Sequence, residues 1–514
     1  FTSRAMRGRG GIGRRWRLKI FCPWRAGSSP AVRTIACAAL ALIAGCERRP
    51  DVGPVVASVI GDAPELRDSS RGERSESDRL LADSVAQGLV RFDAAGQIEP
   101  GIAERWIVTD EGKTYIFRLR ETLWSDGRPV TAQEVVAILK RQMAAASRNP
   151  LKPYLTAIDS IVDMTPQIIQ IELSYPRPDL LKVFAQPELA VMRLRDPAGT
   201  GPFRITRRSR YSLLLTPVRE LNRSPDETPG KVPEDNVRLI GESAARAITR
   251  YAARRSDLVT GGTVRDWPLL QIAAVAPNNI RLDPAAGLFG LAIARRDGFP
   301  ATPENRAALA GAIDRSALTG AFSPDWPATE QLLPEQLDSA AAPALSSWVA
   351  LDQDNRRRQA LASVAAWRRA HPEPLQLRVA LPAGPGGNLL WARIGADLLA
   401  IGIQPERVAA DDRDADLRLI DAVAPYDSAR WYLAHACVSC SEAASEAIEA
   451  ARVAPTLAER ATAIAAADAA MAADVAFIPI ARPLRWSLVS LRLRQWQPNA
   501  RAWHPLNRLR AAPK

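Results

Sequence analysis

The stretch KTYIFRLRETLWSDGRPVTAQEVVAILKRQM, residues 113–143, carries the clearest local pattern in the chain. Every second residue from Tyr115 to Leu119 is apolar, which is the period of a half-buried strand. The turn sequence SDGRP follows, and then Thr131 and Glu134 have the spacing of a helix capping box. Apolar residues recur at helical spacing after it. The stretch therefore predicts a strand, a turn and a capped helix in succession.

Elements of both kinds follow along the chain. IIQIEL (168–173) alternates as a strand, and Thr302 followed by proline begins a predicted helix. LQLRVAL then alternates as a strand, NLLWARIGADLLAIG predicts a helix that ends at Gly402, and DLRLID alternates again. A second capping box begins at Thr456. Because strands and helices alternate, the sequence predicts an α/β fold with mixed sheets covered by helices.

The stretch LALIAGCERRP, residues 40–50, indicates an exported protein. An apolar run of twelve residues, 34–45, ends just before Cys46, and the nine charged residues that precede it are all basic. The run is well below the ~20 residues that cross a bilayer. Basic residues, a short apolar run and small residues are the order of a secretory signal. Residues 43–46 resemble the bacterial lipobox, in which the cysteine is acylated; a buried helix with an incidental cysteine is the alternative.

We therefore expect residues 1–46 to be a signal peptide, with lipidation at Cys46. Residues 1–30 are either part of the signal or a translated upstream extension. The mixture of Pro, Gly, Ser and charge that follows predicts a tether over residues 47–75, interrupted by one early apolar strand.

The positive charge of the chain is concentrated in this leader. The formal net charge is +12, but nine of the 68 basic residues and no acidic residue precede Cys46. That leaves 59 basic against 56 acidic residues, a balance that gives no general attraction for phosphate. We therefore predict no nucleic-acid partner. The remaining chain is too long for one core and predicts two or more domains.

Five phrases, in order, resemble the extracytoplasmic solute-binding proteins of ABC importers, specifically the peptide and nickel-type family, family 5. The most extensive resembles the family's N-terminal signature, and together the phrases span most of residues 80–485. They are residues 88–141, GTGPFRI (199–205), NRAALAGAIDRSAL (305–318), LLAIGI (398–403), and the stretch 441–480 that contains EAARVAPTLAERATAIAAADAAM and ends in FIPI.

This resemblance implies a two-lobed fold like that of the type II periplasmic binding proteins, with a ligand cleft between the lobes. The first lobe would hold residues 76–270 and, after the chain returns, residues 478–514; the second would hold residues 271–477. The protein would be a monomeric lipoprotein, tethered to the cell membrane in the periplasm. It would capture a peptide or another small solute and deliver it to ABC permease subunits. A ligand-sensing adaptor on the same fold is the alternative.

Relatives that bind peptides hold the ligand's amino group with an acidic residue in an aspartate–tyrosine phrase. In PYDSARWYL, residues 425–433, Tyr426 is in place but Pro425 stands where the acid is expected. Asp427 or Asp421 would take its place, because a carboxylate in a closed cleft needs a cationic partner. Alternatively, both are surface carboxylates that flank a turn. The departure weakens the expectation of a peptide with a free amino group.

Trp431 and Trp486 lie near segments that line the cleft in relatives, and Arg295 and Arg296 occur where the family has an asparagine-bearing strand. Trp431 and Trp486 would offer an aromatic face to an apolar or cationic solute, with core packing as the alternative for each. Arg295 and Arg296 would favour a carboxylate or phosphate if they faced the cleft, with solvation as the alternative.

Cys437 and Cys440 are the cysteines that remain after Cys46, and in an exported protein we predict a disulfide between them. Their C-x-x-C spacing also suits a metal or dithiol site, and His435 lies nearby. A second ligand pair is missing from the sequence, so we predict no metal. The disulfide would fix the loop before the predicted helix at 441.

The sequence also argues against catalysis. The three histidines, His371, His435 and His504, are separate from any nucleophile-elbow or zinc-protease motif. The phrase GPGGN lacks the Lys-Ser/Thr of a phosphate-binding loop. We predict neither catalytic residues nor a cofactor, and an exported hydrolase is a disfavoured alternative. Nickel chelates, opines, sugars and haem stay open as solutes, and haem would give His435 a role.

Overall fold

The computed structural model describes residues 53–193, 199–218, 235–273, 275–335 and 337–510. The predicted signal peptide and its Cys46 lie outside the described residues, as does the start of the predicted tether. Within the described ranges, no helix combines the length and the apolar character that a membrane crossing requires.

The fold consists of strands in several sheets and of helices that cover them. The strands are β1 (Val55–Ile60), β2 (Val90–Phe92), β3 (Ile98–Pro100), β4 (Ala103–Thr109), β5 (Thr114–Leu119), β6 (Ile158–Thr165), β7 (Ile168–Leu173), β8 (Phe203–Arg208), β9 (Ser212–Pro217), β10 (Val237–Glu242), β11 (Leu258–Thr263), β12 (Ile280–Asp283), β13 (Gly287–Ile293), β14 (Gln376–Ala380), β15 (Gln404–Val408), β16 (Leu417–Val423), β17 (Phe477–Ala481) and β18 (Arg485–Val489). The α-helices are α1 (Glu76–Val85), α2 (Ala132–Met143), α3 (Leu180–Phe184), α4 (Ala244–Ala252), α5 (Pro268–Ile272), α6 (Pro303–Ala312), α7 (Arg315–Gly320), α8 (Gln353–Ala370), α9 (Pro385–Ala400), α10 (Ala429–Ala436), α11 (Glu442–Val453) and α12 (Leu457–Asp474).

The largest sheet has seven strands in the order β12-β18-β11-β1-β10-β9-β8. Its central strand, β1, lies inside the predicted tether and pairs in parallel with β10 and β11. All six residues of β1 are buried, which is typical of a strand covered on both faces. Strand β18 is antiparallel to both of its neighbours, so the sheet is mixed.

A four-stranded antiparallel sheet, in the order β4-β5-β7-β6, contains the strand of the opening stretch. Helix α2 packs on this sheet. The hydroxyl of Thr131 accepts the backbone N–H of Glu134 at 3.3 Å, which is the predicted N-terminal cap. The strand, turn and capped helix of residues 113–143 are therefore confirmed.

A second mixed sheet has five strands in the order β15-β14-β16-β13-β17. Strand β14 is parallel to both β15 and β16, and helix α9 connects β14 to β15. Helix α9 gives way to Gly402 at φ +88°, a conformation that favours glycine. The strand LQLRVAL, the helix and the strand DLRLID are present as predicted, as β14, α9 and β16, but β15 lies between α9 and β16 and was not predicted.

The chain passes between the seven-stranded and the five-stranded sheets twice. It leaves the seven-stranded sheet after β12 and returns to it at β18, so the two crossings are residues 284–286 and 482–484. We call residues 53–283 and 485–510 the first lobe and residues 287–481 the second lobe. The crossings begin 14 and 5 residues beyond the predicted boundaries at 270 and 477. Strand β17 is buried along its whole length, so its sequence carries no alternation that would assign it to one sheet or the other.

Candidate functional site

The two lobes contact each other through a short segment of the second lobe, residues 424–430, which follows β16 and includes the first residues of helix α10. The backbone N–H of Ala424 donates to Ala286 at 2.8 Å, and Ala429 N–H donates to Asp338 at 2.7 Å. From the first lobe, Gln186 Nε2 donates to the carbonyl of Pro425 at 2.6 Å. The bond from Gln186 holds the 424–430 segment against the first lobe, whereas Ala286 belongs to the first crossing and Asp338 to the second lobe itself.

Aromatic and hydroxyl contacts extend this interface. Tyr154 of the first lobe packs edge-on against Tyr426, with ring centroids 5.7 Å apart. Arg452 of helix α11 donates to the hydroxyl of Tyr175 at 2.9 Å. Buried apolar side chains of both lobes form one continuous cluster that includes Phe117 and Trp431. The lobes are therefore closed on each other in this structure.

Four polar side chains lie buried at the centre of the interface, and we call them the interlobe cluster: Arg177, Asp179, Tyr426 and Arg430. Their relative exposures are 1%, 6%, 1% and 7%. Arg177 and Asp179 follow β7 in the first lobe, whereas Tyr426 and Arg430 belong to the second. Within the cluster, Arg177 Nη2 donates one long hydrogen bond, of 3.4 Å, to Asp179 Oδ2.

Most polar atoms of the interlobe cluster have no hydrogen-bond partner among the described residues. They are Nε and Nη1 of Arg177, Nε and Nη1 of Arg430, Oδ1 of Asp179 and the hydroxyl of Tyr426. Burial, and next the nearby Asp179, raises the pKa of Tyr426 above its ordinary value. Burial, and next the nearby Arg177, lowers the pKa of Arg430. Buried polar groups normally have partners, so six unpaired atoms in one place require an explanation.

Both aspartates predicted as ligand anchors are paired with cations of the first lobe. Asp421 accepts from Arg485 Nη1 at 2.7 Å, next to the second crossing. Asp427, whose side chain is 43% exposed, forms ion pairs with Lys182 and Arg501. Both carboxylates therefore contribute to contacts between the lobes, and their role as amine anchors stays a prediction.

The two tryptophans that were predicted to face the solute, Trp431 and Trp486, are buried among other side chains. Trp431 stacks on His435 at 4.8 Å between ring centroids and meets Tyr432 edge-on. Trp486 is 1% exposed, and its indole N–H donates to the carbonyl of Thr263 at 2.9 Å. In this closed arrangement, both indoles have the core packing that was the alternative at the sequence level.

Cys437 and Cys440 are joined by a disulfide in the loop between α10 and α11. The same loop is held by Arg296, which donates to the carbonyl of Ser439 at 2.8 Å and pairs with Asp474. The described residues contain no group of three or more metal-ligating side chains. The disulfide and the contacts of Arg296 fix the loop that precedes α11. Arg295 pairs with Asp297, outside the interface.

Sequence reasoning missed Arg177 and Arg430 as site residues. Arg430 lies within the quoted phrase PYDSARWYL, only four residues after Tyr426. In this chain, arginine supplies nearly all the positive charge, so composition gives no reason to single out two of them. The proline on each side of Arg177 was the available local signal, because it predicts a fixed, non-helical backbone there.

Two α/β lobes joined by two crossings, with polar groups buried between them, define the class of two-lobed periplasmic-binding-protein-like folds. The chain belongs to the bacterial extracellular solute-binding proteins, family 5, whose middle-region model matches residues 97–355. The predicted family and fold class are confirmed.

Solved structures of the same fold are similar over nearly their whole length. The Haemophilus influenzae OppA complex with RPPGFSPFR has a TM-score of 0.73 at 15% identity, covering 89% of this chain and 98% of that one. The Escherichia coli murein tripeptide binding protein MppA has a TM-score of 0.74 at 17% identity, with the same coverage. At these identities, the likeness establishes the fold.

Sequence relatives match over shorter stretches. The probable deoxycholate-binding periplasmic protein YgiS of Escherichia coli is 39% identical over 93 residues, which is 18% of this chain and 17% of that protein. The periplasmic oligopeptide-binding protein OppA of Salmonella typhimurium is 27% identical over 236 residues, 40% of this chain and 42% of that protein. The chain therefore aligns with less than half the length of these curated relatives.

Proposed function

We propose that this protein is the extracytoplasmic solute-binding component of an ABC importer. It captures a peptide or a similar small solute between its lobes and delivers it to permease subunits in the membrane. The observation that carries the proposal is the interlobe cluster, because buried groups without partners point to a partner that enters when the lobes are apart. Family membership supports the solute-binding role, and relatives with peptide-binding names support the solute class.

Capture follows a hinge mechanism. The crossings at 284–286 and 482–484 serve as the hinge, and the ion pair between Asp421 and Arg485 lies beside it. With the lobes apart, water satisfies the interlobe cluster; with the lobes closed, the solute does. The closed state is stabilised only by a solute that binds it more strongly than it binds the open state.

The protein acts from the outer face of the cell membrane, as a monomer in the periplasm, held by lipid on Cys46. An anchor with more than one acyl chain gives stable attachment, and the protein then stays close to its permease. Replacing the cysteine, Cys46→Ser, is expected to move the protein from the membrane fraction to the soluble periplasmic fraction. Unchanged membrane association of this variant would contradict the lipid anchor.

The protein binds its solute without transforming it. The curated relatives found by comparison are described as binding proteins. We expect mass spectrometry of the solute, released by denaturation after hours of incubation, to give the mass of the solute supplied. A changed mass, produced by the native protein and not by the heat-denatured protein, would instead indicate an enzyme.

A thermal-shift screen of the purified protein tests the binding role directly. The panel consists of di- to pentapeptides, N-acetylated peptides, oligosaccharides, nickel chelates and haem. A solute that binds only the folded protein adds about 2.7 kcal/mol at a hundredfold excess over its dissociation constant. At least one class is expected to raise the melting temperature, and cells that lack the gene are expected to lose uptake of that solute. Absence of any shift across the panel would refute the proposal.

A further inference from the structure

The interlobe cluster carries an excess of positive charge. Arg177 and Arg430 contribute two guanidinium groups, and Asp179 contributes one carboxylate. Arg460, the next nearby arginine, is already paired with Asp338 at 3.0 Å. Arg452 is similarly paired, with its helix neighbour Glu449. These four arginines therefore face three carboxylates, those of Asp179, Glu449 and Asp338, so one positive charge is in excess among the described residues.

The two guanidinium groups lie within electrostatic range of the same side chains. Arg177 lowers the pKa of Arg430, and both oppose the effect of burial on the pKa of Tyr426 and of Tyr154. Each has unpaired Nε and Nη1 groups. Their positions on opposite lobes mean that they converge only when the lobes close.

Burying an ionised group without a partner is costly, and an opposite charge with hydrogen-bond acceptors removes that cost. A carboxylate supplies one negative charge and several acceptor sites, and its bonds to guanidinium groups are charge-assisted. Its single charge also matches the excess of one in the cluster. The hydroxyl of Tyr426 is a further unpaired donor within the same cluster.

We propose that the solute presents a carboxylate, or another singly charged oxyanion, to Arg177 and Arg430, with Tyr426 as a third donor. This deepens the proposed function and rests on it, because the anion enters between open lobes and is enclosed as they close. The neutral form of the same solute leaves both guanidinium groups unpaired and stabilises closure less.

The experiment compares matched acidic and neutral probes by isothermal titration calorimetry on the purified protein. Ala-Glu-Ala against Ala-Gln-Ala tests an acidic side chain, and each peptide against its C-terminal amide tests the terminal carboxylate. Gluconate against glucose tests a non-peptide acid. We expect at least one acidic probe to bind about 30-fold or more tightly than its neutral partner. The pair that shows the preference identifies the source of the anion.

The variant Arg430→Gln assigns that preference to the interlobe cluster. It is expected to bring the acid-to-neutral ratio close to one, whereas the control Arg295→Gln, at an exposed ion pair, retains the wild-type ratio. If Arg430→Gln does not fold, the wild-type ratio decides the inference. Equal affinity for acid and neutral partners overturns it, as does a ratio unchanged in Arg430→Gln, and both results leave the proposed function standing. Binding of none of the probes, or of the thermal-shift panel, refutes the proposed function and this inference together.

Discussion

Asp427 provides a sharp test of what holds the lobes together. Its carboxylate, from the second lobe, pairs with Lys182 and Arg501 of the first. The substitution Asp427→Asn keeps the size of the side chain and removes its charge. If the residue is a clamp between the lobes, the substitution weakens closure for every solute. If it is instead an anchor for an amino group, the substitution weakens only solutes with a free amine.

The expected size of the clamp effect follows from exposure. The Asp427 side chain is 43% exposed and Lys182 is 26% exposed, so each ion pair contributes roughly 0.5–1 kcal/mol. Arg501 is more buried, but in the variant its guanidinium still donates to the carbonyl of Ala424 at 2.7 Å and so keeps a hydrogen-bond partner. The total of about 1–2 kcal/mol lowers the closed population, and with it the apparent affinity, by roughly 5- to 30-fold.

Calorimetry with a bound peptide and its N-acetylated form separates the two roles. As a clamp, Asp427→Asn reduces the affinity of both forms by the same factor, and the exposed control Asp163→Asn changes neither. A loss confined to the free-amine form, of about 2 kcal/mol or more, would refute the clamp and establish the anchor. If the solute is not a peptide, any two solutes of different amine content serve as the pair.

Three further variants test the framework by urea unfolding. Asp474→Asn should lower the free energy of unfolding by about 3–5 kcal/mol, because it removes the carboxylate that pairs with the buried guanidinium of Arg306. The exposed control Asp297→Asn should change the free energy of unfolding little, and equal effects of the two variants would contradict this prediction. Gly262→Ala should lower the free energy of unfolding by about 1–3 kcal/mol, because the added Cβ would lie 2.2 Å from the indole ring of Trp486. The control Gly320→Ala should have little effect, because its Cβ would meet nothing within 4 Å. If both substitutions are neutral, the indole of Trp486 moves aside freely. Burial raises the pKa of Asp468 to about 6, so the folded state holds its proton longer than the unfolded state and the protein loses stability as pH rises from about 4 to 6. Relative to the wild type, Asp468→Asn should gain up to about 3 kcal/mol over that range and keep the gain at pH 7, and a pH-independent difference would contradict the raised pKa.

Much of the secondary structure could be predicted from local signals. Thr131 and Thr456 cap helices as their sequences predict, because a cap needs only residues three positions apart. The strand at residues 168–173 is present as predicted, because one face is buried and the period of two survives. Such features are encoded within about ten residues of chain.

The candidate site could be predicted only in part. Tyr426 was identified through the family phrase, but its buried environment depends on Arg177, about 250 residues earlier in the chain. The cationic partners of Asp421 and Asp427 come from the other lobe. No periodicity or spacing encodes a contact between lobes, because closure is a tertiary event that brings together residues without local pattern.

The route of the chain through its sheets has a consequence for the order of folding. The five strands of the second lobe all lie within residues 287–481, whereas the seven-stranded sheet combines β1, near the start of the described chain, with β18, near its end. Contacts so distant in sequence form late, since the intervening loop must close first. Because the chain is synthesised from its N-terminus, the second lobe can complete its folding before the first lobe, whose segments precede and follow it. In the first lobe, β11 and β12 therefore stay unconnected in the sheet until β18, residues 485–489, is synthesised and pairs with both.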